Sequence, residues 1–159
     1  MSITTASLAA IQSFLGELPR NDRAWSYTIH GYDGVPYVTR SLLPRVLGHR
    51  VLIHRIWRPD SDLHCHNHPW ETAHFLIASG GYVEERSDGS TRSYRVGEVN
   101  SLNRRDFHRV THVQPNTYTV GVVGKRVQDW GFLVFGRLVP HKEFFSSRSY
   151  VPASEGMES

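Results

Sequence analysis

Residues 62–71 read Asp62-Leu63-His64-Cys65-His66-Asn67-His68-Pro69-Trp70-Glu71. Three histidines alternate with Cys65 and Asn67, and on an extended chain alternate residues share a face. His64, His66 and His68 then point one way, and Cys65 and Asn67 the other. Two imidazoles two residues apart can set their nitrogens on one metal ion at about 2.0–2.1 Å each. A turn rich in solvated histidines is the competing reading. Three in alternation, closed by Pro69-Trp70, count against it.

Outward from this stretch the chain breaks into short runs with two-residue alternation. Residues 51–57 (VLIHRIW) stop at Pro59-Asp60-Ser61-Asp62, residues 75–78 (FLIA) at Gly80-Gly81, and residues 82–86 (YVEER) at Ser87-Asp88-Gly89-Ser90. Residues 93–96, 99–102, 108–113, 117–123 and 130–135 continue the series with turn residues between them. Many short strands at near-regular spacing predict an all-β sandwich or barrel. Residues 7–18 (SLAAIQSFLGEL) differ, with Leu8, Ile11, Leu15 and Leu18 at helical spacing, Ser7 as N-cap and Pro19 beyond the end. The expected layout is a short N-terminal helix within residues 1–20 packing on the barrel, one barrel domain over residues 24–150, and a disordered tail at residues 151–159.

Composition narrows the function classes. With 159 residues, 39% hydrophobic and 21% charged, and a mean hydropathy of −0.40, the chain has room for one core and an ordinary soluble balance. No stretch approaches the ~20 apolar residues of a membrane span, and residues 1–5 lack the regions of a signal peptide. A cytoplasmic location without a membrane partner is expected. The single cysteine, Cys65, excludes a disulfide framework or a zinc site of several thiolates, and it reads as a packed thiol. Of the 18 Lys+Arg only Lys125 and Lys142 are lysine, which leaves 16 arginines. They are scattered among acids at a net charge of +3, without the concentrated basic stripe of a nucleic-acid binder. The pI of 9.2 gives slight weight to an anionic small-molecule partner.

Residues 97–110 (GEVNSLNRRDFHRV) read as a turn, a short strand, a second turn and a strand that begins at His108. In an antiparallel barrel that strand can return beside the one carrying His66 and His68. The two segments together resemble the two motifs of the cupin superfamily: His-x-His with a following acidic ligand and glycine turn, and Gly-Asp…Pro-x-Gly-x-x-His. Gly97-Glu98 and His108 fall at the second motif's spacing, while Asn103 and Arg105 stand where the family has Pro and Gly. Residues 66–70 (HNHPW), 80–86 (GGYVEER), 107–110 (FHRV) and 130–132 (WGF) are similar to segments shared by a subgroup of small single-domain cupins of bacterial and phage type. The resemblance covers roughly residues 45–145.

This resemblance implies a double-stranded β-helix, the cupin or jelly-roll barrel, with one metal ion in its mouth and pairing into a homodimer. Two ligand registers stay open. In the first, His66, His68 and His108 bind the metal, with His74 in the place of the acidic ligand, seven residues before Gly81. In the second, His64 and His66 pair with Glu71. The first is preferred, because residues 66–70 are the piece that matches the subgroup. Trp70, Tyr82, Arg109 and Trp130 are the candidate substrate-facing residues, with Arg55 and Arg126 as further anion contacts. Fe(II) is the expected ion, with Zn, Ni, Mn or Cu compatible with imidazole ligands. The implied activity is an oxygenase acting on a small molecule, since three-histidine cupins resemble the thiol and aromatic-ring dioxygenases. His66-Asn67-His68 lacks the His-x-Asp of the 2-oxoglutarate oxygenases. The alternatives are a metal-dependent isomerase, epimerase or lyase, and a non-catalytic metal- or ligand-binding module.

Overall fold

The computed structural model describes residues 26–31, 33–45 and 47–147, and residues 9 and 12 of the N-terminal segment. The expected helix over residues 7–18 lies outside the described residues except for Ala9 and Gln12, which are both helical. The Gln12 side chain donates to the Ala78 carbonyl at 2.7 Å. The tail at residues 151–159 lies outside them entirely. No helix among the described residues is long and apolar enough to cross a membrane.

Among the described residues, eleven strands, all paired antiparallel, carry the fold. They are β1 (Ser26–His30), β2 (Pro36–Leu42), β3 (Arg50–Ile56), β4 (Thr72–Ser79), β5 (Gly81–Arg86) and β6 (Thr91–Arg95), then β7 (Val99–Asn103), β8 (His108–Val113), β9 (Thr117–Val123), β10 (Gly131–Val134) and β11 (Arg137–Pro140). A six-stranded sheet runs β1-β2-β3-β9-β4-β7, a three-stranded sheet runs β6-β5-β8, and β10-β11 is a separate hairpin. The order is not sequential, since β9 inserts between β3 and β4. That insertion excludes a simple meander and gives the double-stranded β-helix expected from the sequence.

The core lies between the sheets. Leu52, Ala73, Phe75, Leu102 and Val123 pack with Trp70 on the inner face of the large sheet. Ile77 of β4 meets Tyr82, Tyr94 and Val110 of the small sheet, which joins the two layers. Ile53 and Ala78 form a third cluster on the opposite face, since each follows an inward residue by one position. One helix was not foreseen. Residues His141–Ser146 form α1, too short to show a period in sequence, and its Phe144 is fully buried and stacked on Phe132 at 4.0 Å.

Phe75 decides how closely β9 and β4 can approach. Gly121 stands opposite it in register, and a Cβ at Gly121 would overlap the Phe75 ring. Since overpacking a filled interior costs typically 1–3 kcal/mol, Gly121→Ala is expected to lower the unfolding free energy by about that much. Urea denaturation of the two proteins measures it, and equal midpoints would show that the ring has room to move.

Candidate metal centre

The stretch that opened the sequence reading is extended but belongs to no long strand. His66 forms a reciprocal backbone pair with His108, its N–H donating to the His108 carbonyl at 2.8 Å and its carbonyl accepting from the His108 N–H at 2.9 Å. It also bridges Phe132 of β10. The next residue pins the segment from behind. Asn67 is 3% exposed, its Oδ1 accepts from the Gly131 N–H at 2.8 Å, and its Nδ2 donates to the Arg104 carbonyl at 3.3 Å. With Asn67 held on one side, alternation sends His66 and His68 to the other.

There they meet His108, the first residue of β8. One ring nitrogen from each of His66, His68 and His108 lies within 4.8 Å of the others. The Nε2 atoms of His68 and His108 are 2.8 Å apart. Two nitrogens at about 2.0–2.1 Å from one ion stand roughly 2.9 Å apart at a right angle and about 3.3 Å apart at the tetrahedral angle. The observed spacing therefore fits one ion between them, near the right-angle arrangement.

Two buried carboxylates sit behind these rings. Glu84, on β5 and 0% exposed, accepts from His108 Nδ1 at 2.7 Å and from Asn100 Nδ2 at 2.6 Å, and Arg86 Nε stands 2.5 Å from its other oxygen. With Nδ1–H given to Glu84, His108 must present Nε2 to the cluster, the arrangement that fixes ligand tautomers in metal sites. Asp60 accepts from the Val110 N–H at 2.6 Å and from the Tyr37 hydroxyl, and its Oδ2 lies 3.9 Å from His66 Nδ1. Burial, then the neighbouring imidazoles, holds His68 and His108 well below the ordinary histidine range. Both are thus neutral, as ligands must be. Burial likewise pushes the Asp60 and Glu84 carboxyls up, against the pull of His66 on the first and Arg86 on the second.

The remaining candidates divide. Trp70 is buried and stacks on His68 at 5.5 Å with an interplanar angle of 16°. Tyr82 is buried with its hydroxyl accepting from Asn100 Nδ2 at 2.9 Å, and Trp130 stands 6.1 Å from His66. All three line a cavity of about 970 Å³ that also contains the three histidines. Arg109 does not line it. It follows His108 by one residue, so it faces outward and pairs with Glu85 at 2.8 Å. Arg55 is likewise turned away, stacked over Trp57 at 3.5 Å, while Arg126 reaches the cavity's lining and pairs with Asp129.

His74 is not brought to the cluster. Ala73 and Phe75 face the core, so His74 between them is exposed and bonds Ser101 Oγ at 2.9 Å. His64 packs on the Phe144 ring at 5.7 Å, and Glu71 is exposed, so the second register gathers no group. The sequence reading missed Asp60, Glu84 and Asn100. Alternation from Tyr82 was the available signal for Glu84, because it places that charge on the inward face of β5.

His66→Ala, His68→Ala and His108→Ala are each expected to abolish bound metal, while His64→Ala and His74→Ala leave it unchanged. Glu84→Gln should weaken metal affinity by about 10–100-fold with the fold retained. Metal content per chain and chelator competition on the six variants check this, and full metal in His108→Ala would exclude the site.

No family model matches the chain, and no curated protein sequence does. Solved structures do match. A tyrosine-to-phenylalanine variant of Streptomyces PAC13 with uridine overlays with a TM-score of 0.53 at 9% identity, over 79% of this chain and 98% of that one. FeII HppE overlays with a TM-score of 0.50 at 14% identity, over 76% of each chain. A DMSP lyase structure matches at 0.47 and 16% identity over 58% of this chain, which spans about half, 51%, of that one. Further matches are a double-stranded β-helix protein from Klebsiella pneumoniae and an RmlC-like cupin from Desulfovibrio desulfuricans. The chain has a double-stranded β-helix fold.

Proposed function

We propose that the protein is a mononuclear metal enzyme of the oxygenase type, with Fe(II) held by His66, His68 and His108 and a small anionic molecule as substrate. The observation that carries the reading is the histidine triad itself: three converging imidazoles on the wall of a large cavity, backed by buried carboxylates. A structure of this fold is described as FeII HppE. Three protein ligands, of which His68 and His108 are spaced for a near right angle, would leave further positions of the ion open to the cavity. Bound Fe(II) would supply one-electron chemistry toward dioxygen there.

The chain's own residues do the rest. Glu84 fixes the orientation of His108 through Nδ1, and the reciprocal backbone pair with His108 holds the His66 segment, with Asp60 3.9 Å from His66 Nδ1. Trp70 and Phe75 wall the space beside His68 and keep water from that side. Arg40, Arg45, Arg50, Lys125 and Arg126 line the cavity, whereas its carboxylates Asp60 and Asp62 both accept hydrogen bonds from the backbone. The balance favours an anion.

A second reading, isomerisation or elimination with a redox-inert metal, draws on Asp62. Its Oδ2 is buried without a hydrogen-bond partner, it lines the cavity, and burial raises its carboxyl, which suits a base that takes a proton beside a carbonyl.

Protein loaded anaerobically with Fe(II) is tested on an oxygen electrode against small carboxylates and phosphate esters. Substrate-dependent oxygen uptake, lost in His108→Ala, is the expected result. Turnover of one of those compounds with zinc or nickel and without oxygen uptake would overturn it in favour of the second reading, and loss of that turnover in Asp62→Asn would then identify the base.

A further inference from the structure

Across the cavity the large sheet presents a polar row that the metal centre does not use. Arg40 of β2, His54 of β3 and Thr119 of β9 are neighbours in register, Arg40 opposite His54 and His54 opposite Thr119, and all three line the cavity. Arg40 Nε donates to His54 Nε2 at 2.9 Å. A guanidinium N–H can only donate, so His54 is the neutral acceptor and leaves the arginine's charge intact. One Nη1 hydrogen goes to the Tyr27 hydroxyl at 3.3 Å. No carboxylate pairs with Arg40 among the described residues. The second Nη1 hydrogen and both hydrogens of Nη2 are therefore uncommitted, on the end of the fork that matches two oxygens of one oxyanion. Thr119, 2% exposed, has an Oγ1 with no partner at all. A buried hydroxyl without a partner costs free energy unless something fills that position.

We propose that Arg40, held by His54 and Tyr27 and assisted by Thr119, is the grip for a carboxylate or phosphate group of the substrate, whose other end reaches the histidine triad. The inference rests on the cavity being the substrate site of the proposed enzyme and names the substrate class: a small molecule with a terminal oxyanion. Trp70 fixes the relation between the two ends. It carries the Arg40 guanidinium 5.8 Å from its ring centroid and stacks on His68 at 5.5 Å, so grip and triad are one ring apart.

The test is titration of the full chain with inorganic phosphate and, separately, with acetate, followed on the arginine Nε–H resonances. Saturable binding that moves the Arg40 resonance is expected with at least one of the two, and the tighter probe identifies the group as phosphate or carboxylate. Arg40→Gln should weaken that binding at least tenfold. Arg40→Lys, which keeps the charge and loses the fork, should weaken it several-fold, and Thr119→Val should do so by a smaller factor. Thermal melts establish that each variant is folded. Equal affinity in wild type and Arg40→Gln, or no saturable binding of either probe, overturns the proposal. Metal content measured on the same samples separates the two readings. Full metal with Arg40-independent binding removes the grip alone, and Arg40-dependent binding without metal removes the triad's role alone.

Discussion

The hydrogen bond between Glu84 and His108 is the interaction on which the rest of the site depends. A fully buried carboxylate is costly unless its charge and lone pairs are met. Glu84 meets that requirement with three groups: His108 Nδ1, Asn100 Nδ2 and the Arg86 guanidinium. Asn100 comes from β7 of the large sheet, whereas Glu84, Arg86 and His108 come from β5 and β8 of the small one. The polar knot thus ties the sheets together through the interior and orients a candidate ligand in the same act. Networks of this kind stabilise when every member is satisfied and destabilise when one is missing.

Charge follows from the same arrangement. Arg86 already offsets Glu84, so that carboxylate does not compensate positive charge on the cavity side of His108. With three imidazoles and no carboxylate as the candidate ligands among the described residues, a divalent ion would keep its full charge there. The cavity's cations add to it, and Asp60 is committed to the Val110 N–H and the Tyr37 hydroxyl. The site as built is electropositive.

Much of this was legible in the sequence, for one reason: period two is a local property. The strands His108–Val113 and Thr117–Val123 fall where the alternating runs predict them, and the alternation at residues 64–68 sorts His66 and His68 from Cys65 and Asn67. The failures come from counting along the chain where the pleat should have been followed. His74 has a suitable distance to Gly81, yet it sits between the inward Ala73 and Phe75 and so must face out. Arg109 beside an inward His108 must do the same. Asp60 and Asn100 were hidden for a different reason. Their roles arise from pairing between separate segments, Asp60 with Val110 and Asn100 with Glu84, which no local pattern encodes.

That distinction also explains why the site needs the closed barrel. His108 belongs to the small sheet and His66 is held to it by reciprocal backbone bonds, while Arg40, His54 and Thr119 belong to the large sheet. Facing sheets pack about 10 Å apart, and the rings that span this gap, Trp70, Phe75 and Tyr82, are core residues first. Neither sheet alone gathers both the histidines and the arginine. Gly121 sets how near β9 lies to Phe75, and Phe75 in turn touches both His54, at 5.2 Å, and His68, at 6.5 Å. Packing density in the core therefore fixes the separation between the two halves of the cavity, and a change of one methyl group at that contact acts on both at once.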